Sequence, residues 1–392
     1  MVQWLPMRIF ILGAGATGSL LAQLLTRQGH HVWCGDKDPV RAQRFLGTRS
    51  RIPVKPVNAR NLWSIVKAAR GCHLLVNCSP AVLNKIALRA ALRLRSHYLD
   101  TASHLTGYPF QVEQLRFDAD FRKKRRTAVI NAGVAPGLTN LLVARSADLL
   151  DGLETVQVRL YESTDSDEAV SQWSPDASFD EAVSRPRVYR NGRFHLAPRF
   201  GEREIFRFPP PIGAVGVMLA AQDEVCTLPR VIPMRTLDVK IGGNDFDRLR
   251  RWYRLGKLRK SRGLSAKHFP KTPTPRQVAR LMRHGTLWHA RFAAAVVAHG
   301  VKGERGAVLR WDAGFPTLHQ IRRRGRFTSP IAWATAHLAA LFIKHFPRKL
   351  SGAYPPEALP RETQQAILAG VRSYGIRLTK RMKLLKPIDH EE

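Results

Sequence analysis

The sequence predicts an α/β protein with a doubly wound parallel sheet and an inserted α+β domain built on a mostly antiparallel sheet. Two observations predict this class. The first 130 of the 392 residues alternate short apolar strands with amphipathic helices, at the spacing of βα units. After Gly152 the pattern changes to strands, and Asn191-Gly192 between two of them is a strong hairpin signal.

The first unit carries a glycine motif between a strand and a helix. An apolar strand over 7–12 leads into residues 13–18, Gly-Ala-Gly-Ala-Thr-Gly, and a helix with apolar spacing continues to Leu25. A second strand, 31–35, is followed by Asp36. This G-x-G-x-x-G pattern, with an acidic residue about 20 positions later, is the dinucleotide-binding fingerprint of the Rossmann fold.

Each part of the motif has a physical role. Gly13 allows a tight turn, Gly15 lets backbone N–H groups approach a pyrophosphate, and Gly18 lets the helix pack closely on the strand. The helix N-terminus attracts the phosphates. The cofactor-binding residues predicted on this basis are Gly13, Gly15, Ala16, Thr17, Gly18, Asp36 and Lys37, with Cys78, Ser79 and Thr101 at the ends of later strands.

Asp36 bears on which cofactor is bound. A carboxylate at this position accepts hydrogen bonds from the adenosine ribose and repels a 2′-phosphate, so NAD is favoured. Lys37 and Arg41 are cations nearby in sequence that can neutralise a 2′-phosphate, which leaves NADP as the alternative.

The remaining elements divide the chain into four parts. We predict a Rossmann domain over 1–130, an inserted second domain over 131–326, a further segment over 327–376 and a basic tail over 377–392. In the inserted part we predict strands at 155–162, 187–190, 193–196, 204–208 and 235–241, and helices at 274–284 and 290–299. A long apolar helix is predicted over 330–346.

The net charge of +34 is the unusual feature of the composition. Basic clusters lie at 248–262, 322–326 and 377–386. Three interpretations compete: a solvated basic surface, attraction to an acidic protein or anionic substrate, and nucleic-acid binding, for which no motif is found. No apolar run reaches membrane-spanning length, and the four cysteines form no C-x-x-C pair. Reduced thiols in a cytoplasmic protein are expected, without a metal site.

Four segments carry a family resemblance. They are 76–103 with its Tyr-x-Asp strand end, 131–144 (NAGVAPGLTNLLVA), 173–194 with Trp-Ser-Pro before a hairpin, and 327–360. In this order they resemble the saccharopine dehydrogenase-like family, and within it the lysine 6-dehydrogenase or saccharopine reductase type. The resemblance implies that 131–326 is a catalytic and dimerisation domain, that 327–376 returns to the Rossmann domain, and that the protein is a homodimer. It also implies an enzyme that uses NAD(P) to interconvert an amine, either an amino acid or a polyamine, and an imine.

Amine oxidation needs a base for the ammonium proton and surroundings that tolerate an iminium cation. Asp100, at the end of a predicted strand, is the first candidate, with a helix cap or loop role as the alternative. His104 is a second acid/base candidate or a surface histidine. Asn140 is predicted to bind the polar end of the substrate or to stabilise its helix start. Arg230 is predicted to pair with a substrate carboxylate or to be a surface arginine.

Other interpretations of the site and of the function stay open. Trp173 and Ser174 are predicted to form a pocket wall or to pack in the core. In one alternative function, the enzyme reduces a substrate tethered to an acidic carrier protein, which would dock on the basic clusters. In another, the chain is a nucleotide sensor or nucleic-acid-binding protein without catalysis. We expect no membrane partner.

Overall fold

The computed structural model describes residues 6–104, 110–172, 174–258 and 269–385. The strands are β1 (Arg8–Leu12), β2 (His31–Asp36), β3 (Val54–Pro56), β4 (Leu74–Asn77), β5 (His97–Asp100), β6 (Thr127–Val129), β7 (Gly152–Ser166), β8 (Arg187–Arg190), β9 (Arg193–Leu196), β10 (Glu204–Arg207), β11 (Ala214–Leu219), β12 (Thr236–Gly242), β13 (Leu287–Lys302), β14 (Arg305–Gly314), β15 (Gly352–Tyr354) and β16 (Arg377–Leu384).

The helices lie between these strands. They are α1 (Ala16–Arg27), α2 (Pro39–Leu46), α3 (Leu62–Ala69), α4 (Asn84–Leu94), α5 (Asp118–Lys123), α6 (Leu138–Leu149), α7 (Pro175–Val183), α8 (Glu224–Val231), α9 (Asn244–Arg254), α10 (Pro275–Arg283), α11 (Leu318–Arg323), α12 (Pro330–Lys344) and α13 (Arg361–Gly370). Within the four described ranges, no helix is long and apolar enough to cross a membrane.

The first sheet is parallel, and its strands run in the order β15-β6-β5-β4-β1-β2-β3. The direction of the chain across the sheet reverses between β1 and β4. In open α/β sheets this reversal opens a crevice at the carboxyl ends of the strands, where ligands bind. The predicted doubly wound parallel sheet is therefore confirmed, and β15 brings the chain back to it after the second sheet.

The second sheet has nine strands, seven of them in the order β10-β11-β12-β7-β13-β14-β16, with β8 paired to β12 and to β9. Strands β7 and β12 are parallel, and the other recorded pairs are antiparallel. This confirms the mostly antiparallel second sheet. The predicted hairpin at Asn191-Gly192 forms between β8 and β9.

One predicted helix, 290–299, is wrong because these residues form the middle of β13. This strand lies between β7 and β14, and both of its faces are buried over 292–298. A strand covered on both faces carries a continuous apolar run instead of an alternating one. The run Ala-Ala-Ala-Val-Val-Ala therefore has no period that separates it from a buried helix.

The sequence predicted a basic tail over 377–392, but its first eight residues form a strand. Arg377–Leu384 is the edge strand β16, paired with β14 from Gly314 to Ala307. Its side chains are mostly exposed, so cations occupy a strand without cost to the core. Lysine and arginine on an exposed edge strand also oppose pairing with a further strand.

The two sheets share one apolar core through α12. Its residues from Pro330 to Ala334 and from Ala336 to Ile343 are buried, and the helix packs on α1 of the first domain and on β13 of the second. Leu338 and Phe342 belong to the same apolar cluster as Ile9 and Val296. The two sheets are therefore held in a fixed relation, and the crevice between them has fixed walls.

The outer face of the second sheet carries a buried ion network. Arg159 of β7 is 0% exposed, and its guanidinium donates to Glu204 at 2.6 Å and to Asp238 at 2.5 Å. Lys240 and Arg190 complete the network from β12 and β8. Removing one member of a buried network leaves the desolvated charges of its partners less well compensated.

We expect Arg159→Met to lower the free energy of unfolding by about 3 kcal/mol. The measurement is urea unfolding followed by circular dichroism. Lys302→Met is the matched control, because Lys302 pairs with Asp151 at the surface, where ion pairs contribute little to stability. Equal, small effects of the two changes would contradict a stabilising role for the buried network.

Candidate functional site

The glycine loop has the geometry that a dinucleotide needs. Gly13 has φ +91°, and its N–H donates to the Gly35 carbonyl at 2.7 Å. A Cβ atom at Gly18 would lie 2.0 Å from the Gly13 carbonyl oxygen, so the close approach of α1 requires glycine there. A Cβ atom at Gly15 would meet no heavy atom within 4 Å. The space above Gly15 and the N-terminus of α1 fits a pyrophosphate.

Asp36 is held at the end of β2 by two backbone groups. Its Oδ2 accepts from the Ala14 N–H at 2.8 Å, and its Oδ1 accepts from the Asp38 N–H at 3.0 Å. The carboxylate is partly exposed, while Lys37 is exposed. Each oxygen retains a further lone pair, which fits the hydroxyls of an adenosine ribose.

A cavity of about 470 Å³ opens between the two sheets, beside the glycine loop. Its walls come from the segments that follow β4 and β5, from β7 and α7, and from the loop before α8. Of the predicted residues, the following line it: Thr17, Cys78, Ser79, Thr101 and His104. Ser174 also lines it, whereas Trp173 lies outside the described residues.

Asp100 lies behind the wall of this cavity and does not line it. It is 1% exposed, its Oδ1 accepts from the Asn131 N–H at 2.8 Å, and its Oδ2 accepts from Gln114 Nε2 at 3.3 Å. Burial raises the pKa of Asp100 to about 7. Asp100 therefore does not reach the cavity, and its hydrogen bonds tie it to the segments that carry Gln114 and Asn131.

Asn140 and Arg230 are also away from the cavity. Asn140 is buried, accepts from the Gly137 N–H at 2.9 Å and donates to Glu357 at 3.0 Å, so it stabilises the start of α6. Arg230 is exposed, and its guanidinium donates to the carbonyls of Phe110 and Cys226. The structure therefore brings neither residue to a substrate, and it favours the alternative roles.

His104 is on the cavity wall and is paired with Asp180 of α7. Its Nδ1 lies 3.2 Å from Asp180 Oδ2. This hydrogen bond raises the pKa of His104 above its usual value, against the opposing effect of burial. With the Nδ1 proton directed to Asp180, Nε2 is the ring nitrogen left to accept a proton from a ligand.

The cavity also has an acidic wall, which sequence reasoning missed. Five carboxyl groups line the cavity: Glu162, Asp176, Asp180, Glu181 and Asp223. Burial raises the pKa of Asp223 to about 7, that of Glu181 to about 8, and that of Glu162 well above its usual value. Among the described lining residues there is no lysine or arginine.

The acidic wall stands out against the rest of the chain. The sequence has 64 lysines and arginines against 30 aspartates and glutamates. This cavity, in contrast, is lined by five carboxyl groups and by no described lysine or arginine. Segment 174–183 carries three carboxylates and no cation, and this local composition could have predicted the acidic wall. Such a wall attracts cationic ligands and repels anionic ones.

Comparison with known proteins agrees with this architecture. Residues 9–129 match the saccharopine dehydrogenase NADP binding domain. In its first domain the chain is therefore similar to the saccharopine dehydrogenase-like family, as the sequence predicted. It has the fold of an NAD(P)-binding oxidoreductase.

Two solved structures illustrate the fold. Saccharopine dehydrogenase (L-Glu forming) from Saccharomyces cerevisiae is 12% identical, with a TM-score of 0.70 over 96% of this chain and 100% of that chain. A meso-DapDH mutant from Clostridium tetani, solved with DAP, is 11% identical, with a TM-score of 0.44 over 91% and 96%. At 12% identity the likeness to the first structure shows the fold alone, and the second, with its lower TM-score, carries no argument.

Within the described residues, no group of three or more histidine, cysteine, aspartate or glutamate side chains is arranged to hold a metal ion. All four cysteines are free thiols. Burial raises the pKa of Cys78, which lines the cavity, to about 12. A thiol with this pKa is not a nucleophile at neutral pH.

Buried carboxyl groups also lie beyond the cavity wall. One of them makes the stability of the fold depend on pH. Glu224 of α8 accepts from Thr139 Oγ1 at 2.8 Å, and burial raises its pKa to about 7. A raised carboxyl pKa contributes stability that is present below the usual value of 4.5 and is lost as the pH rises toward 7.

We expect Glu224→Gln to gain stability relative to the unchanged protein as the pH rises from 4.5 to 7. The gain should be on the order of 1 kcal/mol per pH unit, because the amide cannot lose a proton. Urea unfolding of both proteins at several pH values measures the difference. A difference that does not vary with pH would show that Glu224 titrates normally in the folded state.

Proposed function

We propose that this protein is an NAD(P)-dependent oxidoreductase that interconverts an amine and an imine in the cavity between its two sheets. The acidic wall is the observation that carries the proposal. An amine substrate is cationic at neutral pH, and so is the iminium product of its oxidation. Five carboxyl groups with no described lysine or arginine among the lining residues suit both species.

The residues of this chain fit the proton transfer that the reaction needs. An ammonium group loses one proton before its carbon can give up hydride, and His104 Nε2 accepts that proton while Asp180 stabilises the resulting imidazolium. The bound nicotinamide supplies the hydride acceptor. Asp180 and Asp223, the carboxyl groups beside His104, compensate the positive charge of the iminium carbon–nitrogen pair.

We further propose NAD as the preferred cofactor, although the matching domain is described as NADP binding. The two backbone N–H groups that hold Asp36 direct a fixed negative charge to the ribose position. A 2′-phosphate there meets this charge, and Lys37 is exposed, where screening by salt weakens its effect.

We expect Asp36→Ser to shift the ratio of NADPH to NADH affinity at least tenfold toward NADPH, because the repulsive charge is removed. Fluorescence titration of both cofactors gives the ratio even where the loss of the Ala14 hydrogen bond weakens both. Asp167→Ser, a change at an exposed residue, is the control. An unchanged ratio would refute the role of Asp36 in cofactor choice.

The catalytic proposal is tested by NAD(P) reduction with a panel of diamines, lysine, ornithine and related amino acids at alkaline pH. We expect turnover with at least one free amine and a decrease in kcat of about 100-fold in His104→Gln. In Asp180→Asn the rise of kcat with pH should move to lower pH, since Asp180 raises the pKa of His104. His284→Gln, at an exposed histidine, should change neither.

A substrate tethered to an acidic carrier protein is the second candidate. The exposed cations of β16 favour it, because they form a basic edge on which such a carrier would dock. Binding of NAD without turnover of any free amine would favour this candidate. Turnover with a carrier-bound substrate should then weaken steeply as salt is added.

A further inference from the structure

We propose that Glu162 and Glu181 form a subsite for a second ammonium group, so that the substrate is a diamine or longer polyamine without a carboxylate. The inference rests on the proposed function and narrows its substrate class. It starts from the position of Glu162 in β7. Alternate residues of this strand face the core, and the three before Glu162 are apolar: Val156, Val158 and Leu160. Glu162 occupies the next core-facing position, where an apolar residue is expected.

Glu162 is buried without a partner. It is 9% exposed, it lines the cavity, and among the described residues no group donates a hydrogen bond to its carboxyl. Glu181 of α7 is 5% exposed and accepts from the Gln222 amide. A buried carboxylate without a donor is costly, so a residue of this kind in a cavity wall indicates a ligand that supplies the donor.

The two glutamates act as one site. Burial and the nearby charge of Glu181 raise the pKa of Glu162. Both also line a chamber of about 20 Å³ behind the cavity, with room for one water molecule. A cation between the carboxyls removes their repulsion and lets both ionise.

An ammonium group fits this site better than a metal ion does. It supplies three N–H donors to two carboxyls and to the chamber behind them. Hard metal ions take six or more oxygen ligands, and Asp245, the third acid of the chamber, already accepts from Thr164, Gln172 and Arg248.

The rest of the cavity would hold the other end of the substrate. His104 lines the same continuous volume of about 470 Å³, which suits a linear diamine with one nitrogen at each end. A carboxylate on the substrate would need a cationic partner, and the described lining residues include no lysine or arginine. The geometry therefore selects against α-amino acids.

The test is calorimetric titration of the NADH-saturated protein at pH 8, in which the probe cannot be oxidised and only binding is measured. The probes are 1,5-diaminopentane, 1-aminopentane and L-lysine. We expect the diamine to bind at least tenfold more tightly than either of the others. Glu162→Gln and Glu181→Gln should each remove most of this preference while leaving the affinity for 1-aminopentane unchanged.

Two controls separate binding from folding. Glu168→Gln removes the same charge at an exposed site and should keep the full preference for the diamine. The dissociation constant of NAD should be the same in all variants, which shows that the fold and the glycine loop are intact.

The outcomes distinguish this inference from the proposed function. Equal affinity for the diamine and the monoamine, a preference for lysine, or a preference that survives both glutamate changes would overturn the subsite. Oxidation of monoamines without preference for diamines would support the proposed function and overturn the subsite. Binding of diamines that depends on both glutamates, without NAD reduction, would support the subsite and refute the proposed reaction.

Discussion

The site depends on a buried hydrogen-bond chain that joins the two domains. Gln114 Nε2 contacts Asp100 Oδ2 at 3.3 Å and Ser103 Oγ at 2.9 Å, and the Ser103 N–H donates to Asp223 Oδ2 at 2.8 Å. Asp100 and Gln114 belong to the first domain and Asp223 to the second. Because His104 directly follows Ser103, this chain fixes the histidine on the cavity wall. Hydrogen bonds of this kind are strong in a low-dielectric interior, and breaking one leaves a buried polar group unpaired.

Charge has opposite signs on the exposed strand β16 and in the cavity. The side chains of β16 include exposed cations, whereas five carboxyl groups line the cavity where the two sheets meet. Burial keeps the pKa values of Glu181 and Asp223 near neutrality, so the wall is partly protonated until a cation enters. In the proposed function the acidic cavity, and not the basic exterior, selects the ligand. Net charge therefore says little about the substrate of this chain.

The elements with local signals could be predicted from the sequence. A strand, a glycine turn and a helix follow one another over residues 8–27, so the dinucleotide site needs no distant contact for its recognition. By contrast, β13 has an alanine-rich run without period, and its identity as a strand comes from the strands on both sides. The acidic wall joins residues of β7, α7 and the loop before α8, which are far apart in sequence. Asp100 was expected at the site because it ends a strand, but its hydrogen bonds direct it into the interdomain chain.

The proposed reaction transfers hydride from a carbon that bears an amine to the nicotinamide within the acidic cavity. The most direct measurement uses 1,5-diaminopentane deuterated at the amine-bearing carbons, with the reduced cofactor analysed by mass spectrometry. We expect deuterium on the nicotinamide ring, with transfer about 100-fold slower in His104→Gln. Reduced cofactor without deuterium, or diamine and NAD that bind together without any transfer, would contradict it.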